Sequence, residues 1–98
     1  MKLYVLVNRK LSKSQQAIQA GHAVAEFCRY YPSKWDYSTL VYLQVNDVNS
    51  LRWWLDTLYM TPNVDTVSFI EPYWNNQLTA VAACGEGLDN LLAGLPLL

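Results

Sequence analysis

Apolar and polar positions follow two rhythms along this chain, and the switches between them mark its elements. Residues 2–8 run apolar without interruption from Leu3 to Val7, with β-branched and aromatic content, the pattern of a strand buried on both faces. Ser12 followed by Gln15 makes a capping box and places the start of a helix near Lys13. Ala17, Ala20, Gly21, Val24, Phe27, Cys28 and Tyr31 then recur at helical spacing, one stripe at ~100° per residue. That helix is expected to end around Arg29 to Tyr31, ahead of Pro32, and its small residues Ala17, Ala20 and Gly21 predict close packing on a sheet. Residues 38–45 read as a second strand. Asn46 or Asp47 can cap a second helix with Val48, Leu51, Leu55, Leu58 and Tyr59 on its core stripe, stopped by Thr61-Pro62-Asn63. Residues 65–70 and 78–84 read as further strands. Gly85 and Gly87 break the last of them before a short helix at 88–93, and residues 94–98 are expected to be a loose apolar tail.

The order β-α-β-α-β-β-α contains crossover helices, which require parallel strand pairing early in the chain. The expected fold class is α/β: a three-layer α/β/α sandwich on a four-stranded mixed sheet, with residues 2–8 inside the sheet. The whole chain, 1–98, makes one domain, able to bury roughly 60–65% of its unfolded surface. A core of that size leaves little margin, which favours an oligomer. Trp53 and Met60, seven apart on the side of the second helix away from its core stripe, point to a homodimer or another partner at that face, or to packing of the C-terminal segment over it.

Charge changes this picture locally. A net charge of −1 and a pI near 5.6 exclude a uniformly basic nucleic-acid surface. Yet Lys2, Arg9, Lys10, Lys13, Arg29 and Lys34 all precede residue 35, and only Arg52 follows. A basic patch at the loop 9–13 is one reading of that asymmetry, and a solvated loop beside a helix start is the other. Cys28 and Cys84 form neither a disulfide framework nor, with the single histidine, a metal-ligand pattern, so no metal or cofactor is expected. No apolar run approaches the ~20 residues that cross a bilayer, and no signal sequence opens the chain. The expected setting is cytoplasmic, with no membrane partner.

Candidate chemistry gathers on the first helix. Gln15, Gln19, His22, Glu26 and Arg29 are expected to share the side opposite the apolar stripe. A solvated face accounts for such a set. So does a site, because ligands in open α/β sheets gather beyond the carboxyl ends of strands, where this helix begins.

The segment Gln15-Gln16-Ala17-Ile18-Gln19-Ala20-Gly21-His22-Ala23-Val24, following a strand and a basic loop, resembles the opening of the type 2 peptidyl-tRNA hydrolases. The block Phe69-Ile70-Glu71-Pro72-Tyr73-Trp74-Asn75-Asn76-Gln77-Leu78-Thr79-Ala80-Val81 is similar to the loop and strand near the end of that family's smaller bacterial and phage members. The likeness covers nearly the whole chain and implies the same architecture. It also implies hydrolysis of the ester joining a peptide to the 3′ ribose of tRNA, with tRNA or peptidyl-tRNA as partner. An imidazole, ordinarily titrating near ~6.5, can accept a proton from water and accelerate such a step ~10²–10⁴-fold. The resemblance therefore assigns His22 and Gln19 to catalysis, with Gln19 orienting substrate or water. Lys13, Gln15, Glu71, Asn76 and Thr79 are assigned to substrate binding. Two positions depart from the pattern. Gln15 stands where the family usually has Lys, leaving Lys13, Lys10 and Arg9 as the nearest cations. Tyr73 stands where the smaller members often have Asp, leaving Glu71 as the nearby carboxylate. Two readings stay open: the esterase, and a catalytically inactive module on the same fold that binds a nucleic-acid end, a nucleotide or a protein. Tyr73 and Trp74 carry the same ambiguity, between stacking on a base and capping the core under a loop.

Overall fold

A computed structural model describes all 98 residues. The chain runs β1 (Lys2–Asn8), α1 (Lys13–Tyr30), β2 (Thr39–Val45), α2 (Val48–Tyr59), β3 (Val64–Glu71), a 3-10 turn (Pro72–Trp74), β4 (Gln77–Gly85) and α3 (Leu88–Leu91). The strands form one mixed sheet in the order β2-β1-β4-β3. β1 lies parallel to β2 and antiparallel to β4, while β3 lies antiparallel to β4. The two interior strands are the most apolar, as burial on both faces requires.

Alternation along β1 sends Leu3, Val5 and Val7 to one face, where Ala20, Ala23 and Phe27 of α1 pack on them with Ala80, Ala82 and Cys84 of β4. Tyr4 and Leu6 go to the other face, against Leu51 and Leu58 of α2 and Leu88 of α3. Alanines on α1 meet alanines on β4, so helix and sheet backbones approach closely there. Gly85 ends β4 for a related reason. A Cβ at that position would stand 2.5 Å from Asn63 O and 2.8 Å from the Val64 Cα.

The buried stripe of α1 differs from the expected one. Gln16, Gln19, Ala20, Ala23 and Phe27 are buried, whereas Ala17 and Gly21 face solvent. The helix is thus turned by about one residue position, because two glutamines find hydrogen-bond partners inside and behave as interior residues. Ser12 caps the helix through the Gln15 N–H at 3.2 Å. On α2, Leu51 and Leu58 are buried, Val48 and Leu55 half-buried, and Tyr59 is exposed. Its cap is Asp47, whose carboxylate accepts the Ser50 N–H at 2.8 Å. That bond holds the Asp47 carboxyl below its ordinary pKa.

The C-terminal residues are not a loose tail. The Gln44 N–H donates to Pro96 O at 2.9 Å and the Leu98 N–H to Tyr42 O at 3.0 Å, with Leu43 bridged antiparallel to Leu97. The segment lies along the outer edge of β2, using backbone groups that an edge strand otherwise leaves unpaired.

Candidate functional site

β1 and β3 run in the same direction and β4 runs opposite, so three segments meet at one end of the sheet. They are the loop 9–12 entering α1, the turn after β3, and the start of β4. Thr79 is placed there by an irregularity. Phe69 pairs with Ala80 and Ile70 with Leu78, which leaves Thr79 as the extra residue of a β-bulge. Ala80, Ala82 and Cys84 face α1, so strict alternation would aim Thr79 at the opposite face. The bulge brings it round to α1 instead. Its hydroxyl donates to Gln19 Oε1 at 2.7 Å and lies 3.4 Å from Phe69 O. Gln19 is 1% exposed, and its Nε2 donates to Gln15 Oε1 at 3.4 Å. The Gln19 amide is therefore committed at both ends and positions Thr79 and Gln15.

One turn further on, the His22 ring lies flat on Phe69, with centroids 4.5 Å apart and planes 12° from parallel. Phe69 thus joins the two halves of the cluster: its carbonyl meets Thr79, and its ring supports His22. The histidine is exposed, and the hydrogen bonds of the cluster pass through Gln15, Gln19 and Thr79 without engaging its ring nitrogens. A stacked imidazole of this kind keeps its edges open to water or a ligand.

The remaining candidate residues surround this core. Lys13 is exposed at the first position of α1, and Gln15 is half-buried in the same first turn. Arg9 and Lys10 are exposed in the loop before them, making the cationic part of this end. Glu71 is half-buried where β3 ends, and Asn76 is exposed. Asn75 and Asn76 hold φ of 51° and 58°, a left-handed turn that asparagine tolerates better than most residues, and this leads the chain from the 3-10 turn into β4. Tyr73 is 91% exposed and Trp74 half-buried, so only the latter can cap the core.

Two contributors escaped the reading of the sequence. Gln16 is buried and donates to Leu11 O at 2.8 Å and Arg9 O at 3.3 Å, while accepting from Gln44 Nε2 at 2.8 Å. It ties the basic loop to β2. The spacing of Gln16 from Ala20, Ala23 and Phe27 is the signal that reveals it. Phe69 stood within the motif block, but nothing in its spacing announced a platform for His22.

The wider concavities of the surface lie elsewhere. One is formed by Glu26, Tyr30, Tyr31, Tyr59, Thr66, Val67 and Ser68, and two others lie near Met1 and Glu86 at the opposite end of β1. No group of three or more His, Cys, Asp or Glu side chains is disposed to hold a metal ion, and no helix is long and apolar enough to cross a membrane. No model of a known protein family matches this sequence, and no curated protein matches it either.

Proposed function

We propose that this protein is a peptidyl-tRNA hydrolase-like esterase, cleaving the ester between a peptide and the 3′ ribose of tRNA. The observation that carries the reading is the bulge at Thr79, which turns a buried hydroxyl onto Gln19 one helical turn before His22. Bulges recur next to active sites because they re-aim a side chain that regular pairing would point elsewhere. In this reading a His22 ring nitrogen takes a proton from water as the water oxygen attacks the ester carbonyl. The bond to the ribose oxygen breaks, and the proton returns to that oxygen. Lys13, Lys10 and Arg9 face the phosphates of the acceptor end, and Asn76 and Glu71 border the reacting group. The fold is then a three-layer α/β/α sandwich of the same family, and the protein works in the cytoplasm as a homodimer.

A specific feature favours the second reading, an inactive binding module. Gln15 occupies the place of the expected cation and is turned toward Gln19 rather than outward. Losing an oxyanion-stabilising donor costs roughly 10²–10³ in rate.

One preparation separates the two. Turnover of N-acyl-aminoacyl-tRNA and binding of the same tRNA are measured with the wild type and with His22→Ala. The esterase predicts turnover by the wild type and a loss of ~10²-fold or more in the variant. Full activity of His22→Ala would remove the catalytic role. Absence of turnover at every pH, with tRNA binding that weakens as salt is added, selects the binding module.

A further inference from the structure

The surface shared by α1 and β3 continues past the stack of His22 on Phe69. α1 joins β1 to a parallel β2 and so runs against β1, while β3 runs with it. α1 and β3 therefore pack side by side in opposite directions. Four helix residues advance ~6 Å and two strand residues ~6.6 Å, so the two elements stay in step. Beyond His22 on α1 comes Glu26, and before Phe69 on β3 come Ser68 and Val67. A groove of about 420 Å³ opens there. It is walled by Glu26, Tyr30 and Tyr31 at the end of α1 and by Tyr59 of α2, with the middle of β3 as its floor.

The groove and the loop 9–12 lie on opposite sides of His22 along the helix, and they differ in charge. Arg9, Lys10 and Lys13 come before the histidine. The lining of the groove carries one carboxylate, Glu26, and no cation. Arg29, outside the lining, pairs with that carboxylate at 3.7 Å, so little net charge faces the groove. Tyr30 and Tyr59, on opposite walls, are both largely exposed, and their rings are free to cover a ligand. The floor is recessed at Thr66 and Val67, and half-buried Ser68 is the part that a chain lying in the groove reaches. Thr79 meets Phe69 O on the β4 side of β3, so the N–H and C=O of Ser68, the neighbouring residue, point away from β4.

We infer, building on the esterase reading, that this groove seats the peptide of the substrate, which leaves the scissile bond in the direction opposite to the tRNA. A peptidyl-tRNA has phosphates on one side of its ester and a chain of uncharged amides on the other. The protein's surface has the same order: cations, then His22, then a tyrosine-walled groove of little net charge. A phosphate in the groove faces the Glu26 carboxylate, a like-charge contact that binding avoids. Tyrosines cover apolar and aromatic side chains at low entropic cost. Ser68 offers an extended peptide a donor and an acceptor, as an edge strand does to an added strand. The helix sets the length. His22 to Glu26 covers ~6 Å and His22 to Tyr30 ~12 Å, against ~3.3 Å for each extended residue. About two residues of peptide thus bridge from the ester to the groove, and about two more lie within it.

Steady-state hydrolysis of esters of one tRNA, carrying N-acetylated peptides of increasing length built from uncharged residues, tests this. KM should fall about tenfold or more as the peptide grows from one residue to about four, and then level off. The turnover number should stay constant, because remote contacts made equally in the ground and transition states act on KM. Tyr30→Ala and, from the opposite wall, Tyr59→Ala should each shrink the ratio of short-ester to long-ester KM about threefold or more. Both positions are exposed, and circular dichroism spectra like that of the wild type verify that the variants fold. A KM independent of peptide length overturns the groove assignment and leaves the esterase standing. A length dependence that survives in both tyrosine variants overturns it as well. So does a variant that weakens short and long esters alike, which puts the tRNA end in the groove instead. If no ester is turned over, the esterase reading falls and the assignment falls with it.

Discussion

β2 and β3 are both edge strands of one sheet, and they solve the same problem in opposite ways. The β2 edge is closed from within. Pro96 and Leu98 exchange backbone hydrogen bonds with Gln44 and Tyr42, although Leu97 itself remains mostly exposed. The segment contributes backbone partners more than apolar burial. The β3 edge keeps its outward backbone groups and a buried hydroxyl without partners, between tyrosines from both helical layers. An apolar C-terminal segment can thus be ordered by edge pairing alone. The centre of β3 is instead recessed between side chains of the two helical layers, with Thr66 and Val67 only 3% and 6% exposed.

Removing the seal on β2 should give the largest effect. Deleting residues 94–98 takes away the two backbone hydrogen bonds to β2 and the half-buried Leu95, which packs with the cluster around Leu43 and Leu92. At ~1 kcal/mol for each bond and for the partly buried leucine, stability should fall by about 3 kcal/mol. The shortened chain should also form larger species, because the β2 edge is then open. Denaturant unfolding and sedimentation check this. An unchanged unfolding midpoint would mean that the segment merely rests on β2.

Disturbing the open edge from inside should cost less. A Cβ at Gly85 meets backbone atoms of Asn63 and Val64, where β3 begins, and backbone yields only by shifting the strand. Gly85→Ala should lower stability by about 2 kcal/mol, within the range of overpacking substitutions. Amide exchange should speed up along Val64–Val67 and stay unchanged at Gln44 and Leu98. Equal loosening at both edges would show that the sheet responds as one unit, and the contrast between its edges would lose its energetic meaning.

How far these features were legible in the sequence depends on what kind of signal each residue carries. Uninterrupted apolar runs and caps place β1, β4 and the starts of both long helices, because burial on two faces and orphan N–H groups leave direct marks at Leu3–Val7, Ser12 and Asp47. The face of α1 is not legible in this way, because hydrophobic patterning counts Gln16 and Gln19 as outside. Their interior places depend on partners 28 and 60 residues away, Gln44 and Thr79. The bulge at Thr79 was invisible for the same reason, since a register shift belongs to two strands jointly. The site residues could be named from the resemblance, but the stacking of His22 on Phe69 could not. The order of the tail leaves no mark, because Leu95-Pro96-Leu97-Leu98 has no strand alternation, and pairing with β2 needs none.

The smallest expected effect serves as a control on the two edges. Gly21 lies on the exposed side of α1, and a Cβ there would meet nothing within 4 Å. Its backbone is helical, so an alanine adopts the same conformation while restricting the unfolded chain. Gly21→Ala should stabilise the protein by about 0.5–1 kcal/mol, read as a rise in the thermal midpoint. It touches neither the C-terminal segment nor the β3 groove, so the exchange rates at Thr66 and Ser68 should not move. Gly21 does adjoin His22, so a methyl there probes the other end of the molecule. If peptidyl-tRNA is seated over His22, turnover should fall while stability rises. Higher stability with unchanged exchange at Thr66 and Ser68 keeps the edges distinct from the helix that walls one of them. Altered exchange at those two residues from this remote methyl would show that α1 and β3 yield together, and the β3 edge would then be a property of the helix as much as of the strand.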